Sequence, residues 1–255
     1  MKIGIVGTGA IGGTIAKKMV AAGHQVIVNN SDASDKLAKR AKELGALPST
    51  SEDLVKGVDV VIVSVPTVAI LGLPNTLFDN IPRETIVVDT SNYYPFRDAD
   101  IEEIKNGKTE SVWVSEQIGR PVIKAFNMLL AETLVSGVKP AGAAERIAMA
   151  VSGDDSKAKE VISGLVNEAG FDVVDAGDLV NSWRHQPGTP AYCTELNATE
   201  LKQALNDGIR EDAAKIRDSV IKIFMERADQ PTHEETVKIN RSLFPKNPKT
   251  EKLEP

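Results

Sequence analysis

The chain has 255 residues, of which 42% are hydrophobic and 26% charged, and its formal net charge at pH 7 is −6. These values are typical of a globular protein long enough for one α/β domain and a modest addition. The negative charge excludes a basic footprint for nucleic acid or anionic lipid, and no apolar run approaches membrane-spanning length. Cys193, the single cysteine, fits a reducing compartment, so we expect a cytoplasmic protein with no nucleic-acid or membrane partner.

The first predicted strand runs directly into a glycine-rich turn, and a predicted helix over residues 14–22 follows. Gly7 allows a tight turn, Gly9 removes a side chain where backbone meets pyrophosphate, and Gly12 lets helix and strand approach closely. The helix N-terminus adds free N–H groups and a positive dipole. The sequence therefore predicts a dinucleotide site, whose contact residues would be Gly7, Thr8, Gly9, Ala10, Ile11 and Gly12.

The end of the second predicted strand, residues 25–28, indicates which dinucleotide is bound. Asn30 occupies the position where an NAD site usually carries Asp or Glu for the ribose 2′-hydroxyl. Ser31 can donate to a 2′-phosphate, whereas Asp32 would repel it. Positive side chains follow at Lys36, Lys39 and Arg40. These residues favour NADP and leave NAD as the alternative.

Strand and helix patterns alternate along the next part of the chain. Continuous apolar runs predict strands at 58–65, 85–89, 121–126, 146–151 and 171–175, and helices are predicted at 35–44 and 156–169. This order predicts a Rossmann-like, doubly wound α/β domain with a mostly parallel sheet over residues 1–182. Ligands bind at the carboxyl ends of such strands, which selects residues 64–66, 90–92 and 126–127 as pocket-lining.

Residues 183–244 read as a C-terminal loop and helical segment, and 245–255 as a flexible tail. Asn197 with Glu200, and Thr232 with Glu235, have the spacing of capping boxes. An apolar stripe from Leu201 onward predicts one helix over 198–228, about 45 Å long at 1.5 Å per residue. We expect this helix to bury apolar surface in a homodimer.

Few side chains offer acid–base chemistry. Of the three histidines, His24 is expected to be structural and His233 to face solvent. His185 is the candidate acid or anion contact, with a surface loop as the alternative, and Asn127 is the other candidate for the chemical step. No His, Asp and Glu cluster has metal-ligand spacing.

Each group of aromatic residues near the carboxyl edge of the sheet has two possible roles. Tyr93 and Tyr94 either shape the pocket entrance or pack in a loop. Trp183, Tyr192 and Cys193 either form the wall of a second-substrate site or anchor the C-terminal helix.

Several motifs resemble those of a known family over residues 1 to about 193. They are the glycine turn and residues 64–66, 89–95, 124–127 and 175–182. On these segments the chain resembles the dinucleotide-binding oxidoreductases related to the reductase that passes hydride between NADP and the deazaflavin coenzyme F420. It resembles more distantly the cytoplasmic domain of metalloreductases of the six-transmembrane epithelial antigen type.

The resemblance implies roles for matched positions. Asn30 and Ser31 would hold the adenosine ribose with its 2′-phosphate, and Val65 and Pro66 would pack near the nicotinamide ribose. Ala125, Phe126 and Asn127 would flank the nicotinamide and a flavin-like ring. The chain departs from that reductase in lacking its serine–arginine pair near Asn30 and in carrying Asn127 where the reductase has histidine.

Two functions of different classes remain open from the sequence. The first is an NADP-dependent oxidoreductase that transfers hydride to a flavin or deazaflavin, or to a small carbonyl or imine compound. Its acceptor would lie between Asn92, residues 126–127 and the loop over 183–192. The second is a non-catalytic NADP-binding sensor or scaffold protein.

Overall fold

A computed structural model describes residues 1–74, 77–79, 81–244 and 249. The predicted tail over 245–255 therefore lies outside the described residues, apart from Lys249. No helix in the described ranges is both long enough and apolar enough to cross a membrane.

Strands form a sheet whose order defines the fold. They lie at Lys2–Val6 (β1), Gln25–Asn29 (β2), Leu47–Pro48 (β3), Val60–Val63 (β4), Ile86–Asp89 (β5), Ile123–Lys124 (β6), Ala148–Val151 (β7) and Asp172–Asp175 (β8). The first six are all parallel in the order β3-β2-β1-β4-β5-β6. The chain thus winds outward from β1 to β3, crosses to β4 and winds the other way. The crevice between β1 and β4 is the topological switch point where such sheets bind ligands, and the doubly wound, Rossmann-like prediction is confirmed.

The last two strands extend this sheet with reversed direction. β7 pairs parallel with β8, while Lys124 at the end of β6 pairs antiparallel with Ser152 just after β7. Backbone hydrogen bonds run both ways across that bridge, at 2.8 and 3.0 Å. The carboxyl ends of β6 and β7 therefore meet.

Helices cover both faces of the sheet. They lie at Ala10–Ala21 (α1), Ser34–Leu44 (α2), Ser51–Leu54 (α3), Pro95–Asp98 (α4), Glu102–Lys105 (α5), Glu110–Ile118 (α6), Ala131–Ser136 (α7), Ser156–Glu168 (α8), Ala198–Asp207 (α9), Arg210–Met225 (α10) and His233–Ser242 (α11), with 3₁₀ turns at Thr67–Gly72 and Leu179–His185. One apolar core contains Ile15, Leu37 and Leu165 from α1, α2 and α8. The other contains Leu54 and Trp113 from α3 and α6. Both faces of the sheet are thus buried, which explains its continuous apolar strands.

The single helix predicted over 198–228 is wrong. Gly208 and Ile209 adopt extended backbone between α9 and α10, because glycine has low helix propensity and Gly208 packs against the Trp183 ring. The break turns α10 so that only Ala213 and Arg217 of its side chains are buried. The homodimer, which was inferred from one long apolar stripe, stays a prediction.

Both predicted capping boxes are confirmed. The Asn197 and Thr232 side chains each accept a backbone N–H from the first helical turn, and Glu200 and Glu235 reach back to the cap. The expectation that His233 faces solvent is wrong, since its Nε2 lies 2.9 Å from Glu195 and 2.8 Å from Thr133 Oγ1. Its position at a capped helix start places it against α7. His24 is structural as expected, joined to the N-terminal amine and to Glu168.

Candidate active site

The glycine turn between β1 and α1 is crowded on two sides and open in the middle. Gly7 has a φ of +97°, and a Cβ there would lie 2.2 Å from the Ser64 carbonyl oxygen. A Cβ on Gly12 would lie 2.1 Å from the Gly7 carbonyl oxygen, whereas one on Gly9 would meet nothing within 4 Å. Gly7 and Gly12 are therefore required by packing. Gly9 leaves empty space beside the backbone.

That empty space faces the start of α1, which begins at Ala10 rather than at Thr14. Gly9 is the N-cap, and no side chain caps the helix. The first N–H groups of α1 are thus available to an anion at a point where no side chain intervenes. This arrangement fits a pyrophosphate.

Asn30 links the glycine turn to the loop after β2. Its Nδ2 donates to Thr8 Oγ1 at 2.7 Å and to Asp32 Oδ2 at 2.9 Å, and its Oδ1 accepts the Asp32 N–H. Ser31 is exposed next to it. Arg40 reaches across from α2 and donates to the Thr8 carbonyl oxygen at 3.2 Å. A guanidinium therefore lies beside the glycine turn on the side of the loop after β2, while Lys36 and Lys39 stand exposed on α2.

A buried ion pair holds the carboxyl ends of β5 and β6 together. Asp89 and Lys124 are paired in register, are 0% and 1% exposed, and join Oδ2 to Nζ at 2.9 Å. Asp89 also accepts from Ser111 Oγ at 2.7 Å and from the Ser91 N–H at 2.8 Å, and Lys124 donates to the Ser91 carbonyl oxygen. The pair thus fixes the loop that carries Asn92.

Asn127 follows a strained residue. Phe126 has a φ of +60°, which is rare for a bulky residue and persists only where the surroundings impose it. Its ring is buried, and the preceding Ala125 N–H donates to the Asp89 carbonyl oxygen at 3.2 Å. The tight turn points the chain from β6 back toward Asn92.

Asn127 joins Asn92 to His185. The two asparagines bond reciprocally, each amide donating to the other residue at 2.9 and 3.0 Å. Asn127 Nδ2 also donates to the His185 carbonyl oxygen at 2.8 Å. Because Nδ2 already donates to two oxygens, Asn127 Oδ1 is the acceptor for His185 Nδ1, at 3.0 Å. The remaining ring nitrogen then accepts from Ser152 Oγ at 2.9 Å.

His185 is therefore a neutral, completely buried imidazole. Burial, and after it the Lys124 ammonium, lower the pKa of His185 to about 3. The alternative of a surface loop is wrong, because the Leu179–His185 turn tucks this side chain under the edge of the sheet. At neutral pH His185 positions Asn127 rather than supplying a proton.

A cavity of about 370 Å³ opens beside this network. Its walls come from the loop after β5, from residues 187–193 and from α10 and α11, and its members include Tyr94, Tyr192, Cys193, Arg217, Val220 and Phe224. The Tyr94 and Tyr192 hydroxyls lie 2.8 Å apart, and Tyr192 Oη is 3.4 Å from Asn92 Nδ2. Burial raises the pKa of both tyrosines, so they remain protonated at neutral pH. The cavity is thus apolar with a hydroxyl pair at the end nearest Asn127.

The sequence predicted either a pocket role or a packing role for the aromatic residues, and the structure shows examples of each. Tyr93 is fully buried and packs as core, whereas Tyr94 lines the cavity. Trp183 anchors the junction of α9 and α10, with the guanidinium groups of Arg184 and Arg210 at 4.6 and 5.9 Å from its ring. Tyr192 and Cys193 form cavity wall. Among the described residues, no group of three or more His, Cys, Asp or Glu is placed to hold a metal ion.

Sequence reasoning missed four residues of this region. Ser152, which bonds His185, carries no motif. Arg217 lies between Ile216 and Val220 of the apolar stripe and has the appearance of an ordinary charged helix residue. Asp89 and Lys124 could have been found, since opposite charges that end two adjacent parallel strands meet at the same edge of the sheet.

Glu110 is a buried carboxyl group beneath this edge, and it predicts a pH dependence of stability. Its Oε2 accepts the Tyr93 N–H at 3.1 Å, while Oε1 is buried without a partner among the described residues. Burial raises the pKa of Glu110 to about 7, although Lys124 and the hydrogen bond from Tyr93 act in the opposite direction. The folded state then binds more protons than the unfolded state above the ordinary pKa of 4.5, so stability falls as the pH rises to 7.

Replacing Glu110 with glutamine is expected to remove this decrease in stability with rising pH. The difference in unfolding free energy between pH 5 and pH 8 should shrink by roughly 2–3 kcal/mol relative to the wild type. Urea unfolding at both pH values measures it, with the exposed Glu103→Gln as the control. Equal pH dependence in the wild type and Glu110→Gln would contradict the assignment.

Comparisons with known proteins agree with this architecture. The model of the family described as NADP oxidoreductase coenzyme F420-dependent matches residues 2–93. The Escherichia coli K12 protein YjhV is 35% identical over 124 residues, which cover 49% of this chain and 83% of YjhV. The family match thus includes the glycine turn and the first five strands.

Solved structures extend the likeness beyond β5. The hypothetical protein SMa0349 from Sinorhizobium meliloti is 29% identical with a TM-score of 0.65, and the match covers 77% of this chain and 95% of that protein. A proposed F420-dependent NADP reductase from Arthrobacter sp. FB24 shares the fold at 22% identity and a TM-score of 0.59, over 71% of this chain and 87% of that one.

Fold, glycine turn and relatives together define an NAD(P)-dependent oxidoreductase of the Rossmann class. More narrowly, the chain belongs to the F420-dependent NADP oxidoreductase family. The non-catalytic alternative finds no support among these relatives.

Proposed function

We propose that the chain binds NADPH along the crevice between β1 and β4. Residues Gly7, Thr8, Gly9, Ala10, Ile11 and Gly12 would hold the pyrophosphate, and Asn30 and Ser31 the ribose with its 2′-phosphate. The observation that carries this proposal is the empty space at Gly9 beside the uncapped start of α1. Arg40 supports NADP over NAD, because it brings a positive charge to the adenosine end.

We place the nicotinamide at the carboxyl ends of β4 and β6. Pro66 is exposed and Val65 half-buried at this edge, so both can contact a ring. Ala125 and Asn127 are buried and would shape the site from beneath. Asn92, half-buried and held by Asn127, lies between this edge and the cavity.

The proposed reaction is the reduction of a flavin-like or deazaflavin molecule, or of a small carbonyl or imine compound. Bound NADPH supplies the hydride, while the residues described here bind and orient the partners. A panel of flavins, deazaflavin, ferric chelates and small carbonyls, read by the loss of NADPH absorbance, tests it. Absence of turnover with the whole panel would contradict the proposed acceptor classes.

We expect NADPH to bind more tightly than NADH by a modest factor of about 10, equivalent to 1.4 kcal/mol. Asp32 limits the preference, because its carboxylate would lie near the 2′-phosphate. Asp32→Asn should therefore increase the preference, whereas the remote exposed Glu160→Gln should not. Calorimetric titration with both nucleotides measures it. Tighter binding of NADH by the wild type would refute the NADP assignment.

We expect His185→Ala and Asn127→Ala to raise the acceptor KM about tenfold while kcat changes less. Asn127 holds Asn92 directly and His185 holds Asn127, and neither residue carries a proton that the reaction would consume at neutral pH. If the acceptor is a carbonyl or imine and the network supplies its proton, kcat falls about 10²–10⁴-fold instead.

Steady-state kinetics at saturating NADPH separate the two cases. His24→Ala serves as the control, since it removes an imidazole at the opposite edge of the sheet. Wild-type constants in both His185→Ala and Asn127→Ala would show that the acceptor site lies elsewhere.

A further inference from the structure

Among the described residues that line the cavity beside Asn92, Arg217 is the one charged side chain. Arg217, on α10, is only 8% exposed. Most of the other members are aliphatic or aromatic, among them Leu130, Val220, Ile221 and Phe224. A guanidinium group in such surroundings has lost much of its hydration and needs compensation.

Two carboxyl groups compensate part of the Arg217 charge: the exposed Asp218 and, at longer range, the buried Glu110, whose pKa burial raises and the Arg217 charge lowers. Its Nε donates to Asp218 Oδ1 at 2.8 Å, and Nη2 lies 2.8 Å from the same oxygen. The Asp218 side chain is 58% exposed, so water screens that pair. The guanidinium carbon lies 5.5 Å from the centre of the Tyr93 ring. Nη1 has no hydrogen-bond partner among the described residues, although it carries two of the five guanidinium N–H donors, whose geometry suits planar anions.

Backbone packing fixes the turn of α10 that carries Arg217. Gly188 has a φ of +86°, and a Cβ there would lie 1.9 Å from the Ala213 carbonyl oxygen and 2.8 Å from the Arg217 nitrogen. The backbone of α10 therefore contacts the 187–193 segment directly. The guanidinium itself is already held by Asp218 and the Tyr93 ring, so it loses little further conformational entropy when it binds a ligand.

We propose that this cavity binds a small apolar carboxylate whose anionic group Arg217 holds. An apolar pocket of this size with few convergent polar groups is typical of a small-molecule site. A planar carboxylate matches the donor geometry of arginine and would complete its compensation. The hydroxyl pair of Tyr94 and Tyr192 lies in the same cavity, ready to bond a polar atom elsewhere in the ligand.

The ligand would be the acceptor itself. This part rests on the proposed function, because it depends on the nicotinamide lying at the edge that carries Asn92. Tyr192, which lines the cavity, has its hydroxyl 3.4 Å from Asn92 Nδ2, so one side chain separates the cavity from that edge. An acceptor held by Arg217 would point its uncharged end toward the nicotinamide.

The experiment compares 4-phenylbutyrate with its neutral amide, which has the same size and shape. Binding to the full chain is measured by calorimetry without nucleotide. We expect the acid to bind at least tenfold more tightly than the amide. Arg217→Leu should abolish this preference and leave amide binding unchanged, and Arg217→Lys should retain part of it. Val220→Trp should fill the cavity and prevent binding of both compounds.

Lys222→Gln is the matched control, because Lys222 is a cation on the same helix with a 75% exposed side chain. It should leave the preference intact. Thermal melts establish that each variant is folded. Equal affinity for acid and amide in the wild type, or an undiminished preference in Arg217→Leu, would overturn the proposal, as would binding of neither compound at millimolar concentration. Sedimentation showing a dimer that excludes the acid would assign the cavity to a second copy and also overturn it.

A separate titration with NADPH distinguishes the two proposals. Absence of an acid preference in the wild type, together with normal NADPH binding, contradicts the role of Arg217 alone. An intact acid preference without NADPH binding contradicts the proposed function and leaves the carboxylate site standing.

Discussion

Gly9→Asp is expected to weaken NADPH binding at least about 100-fold without unfolding the protein. The new carboxylate would lie in the empty space at the start of α1 and accept the N–H groups that the pyrophosphate needs. It would also repel the phosphates. Losing one or two charge-assisted hydrogen bonds, at about 1.5–3 kcal/mol each, accounts for the expected loss.

The free energy of unfolding should change little in Gly9→Asp, or rise slightly. Gly9 is the N-cap of α1 and has an ordinary φ of −66°, and aspartate is a better N-cap than glycine by a few tenths of a kcal/mol. Calorimetric titration with NADPH and a thermal melt measure the two effects. Gly164→Asp, an equally open and exposed glycine on α8, is the control. Normal NADPH affinity in Gly9→Asp would show that the nucleotide does not bind at this turn.

Lys124→Met is expected to lower the free energy of unfolding by about 3–5 kcal/mol. The substitution leaves the Asp89 carboxylate 0% exposed without its cation, and the Ser91 carbonyl oxygen loses its donor. A buried charge that loses its partner cannot be rehydrated without disturbing the strands around it. The loop that carries Asn92 should loosen as well, so a rise in acceptor KM should accompany the loss of stability.

Urea unfolding measures the loss of unfolding free energy in Lys124→Met. Lys159→Met is the control, since it breaks an ion pair that is partly exposed. Lys159 binds Asp175 at the same 2.9 Å, but that carboxylate is 65% exposed, so its loss should cost about 0–1 kcal/mol. Adding Asp89→Asn to Lys124→Met should recover part of the stability, because it removes the unpaired charge. Similar costs for Lys124→Met and Lys159→Met would contradict the buried-pair argument.

Local signals in the sequence predict most of the Rossmann core. The glycine turn lies between a strand and a helix as expected, and the buried strands carry the β-branched runs of a sheet covered on both faces. The strands are shorter than the apolar runs, for example Val60–Val63 within the predicted 58–65. Apolar residues continue past the point where parallel pairing ends.

The C-terminal region was predicted less well because its form depends on distant contacts. The periodicity from Leu201 to Ile223 continues through Gly208, and only the packing of Gly208 on Trp183 shows that the helix breaks there. His185 reads as a loop residue in sequence, since its partners Asn127 and Ser152 are 58 and 33 residues away. In sequence Arg217 resembles a solvated helix residue, and only its position in the cavity wall shows that it is buried.

The bridge between Lys124 and Ser152 has a mechanical consequence. Many two-domain enzymes bring cofactor and substrate together by swinging one domain over the other. Here the edge after β6 is hydrogen-bonded to the end of β7, and Ser152 is in turn bonded to His185. The floor of the proposed acceptor site is therefore continuous with the sheet that carries the glycine turn, and we expect the two sides to move together. We expect a ligand to enter and leave through the outer wall, where α10 buries only two of its 16 side chains.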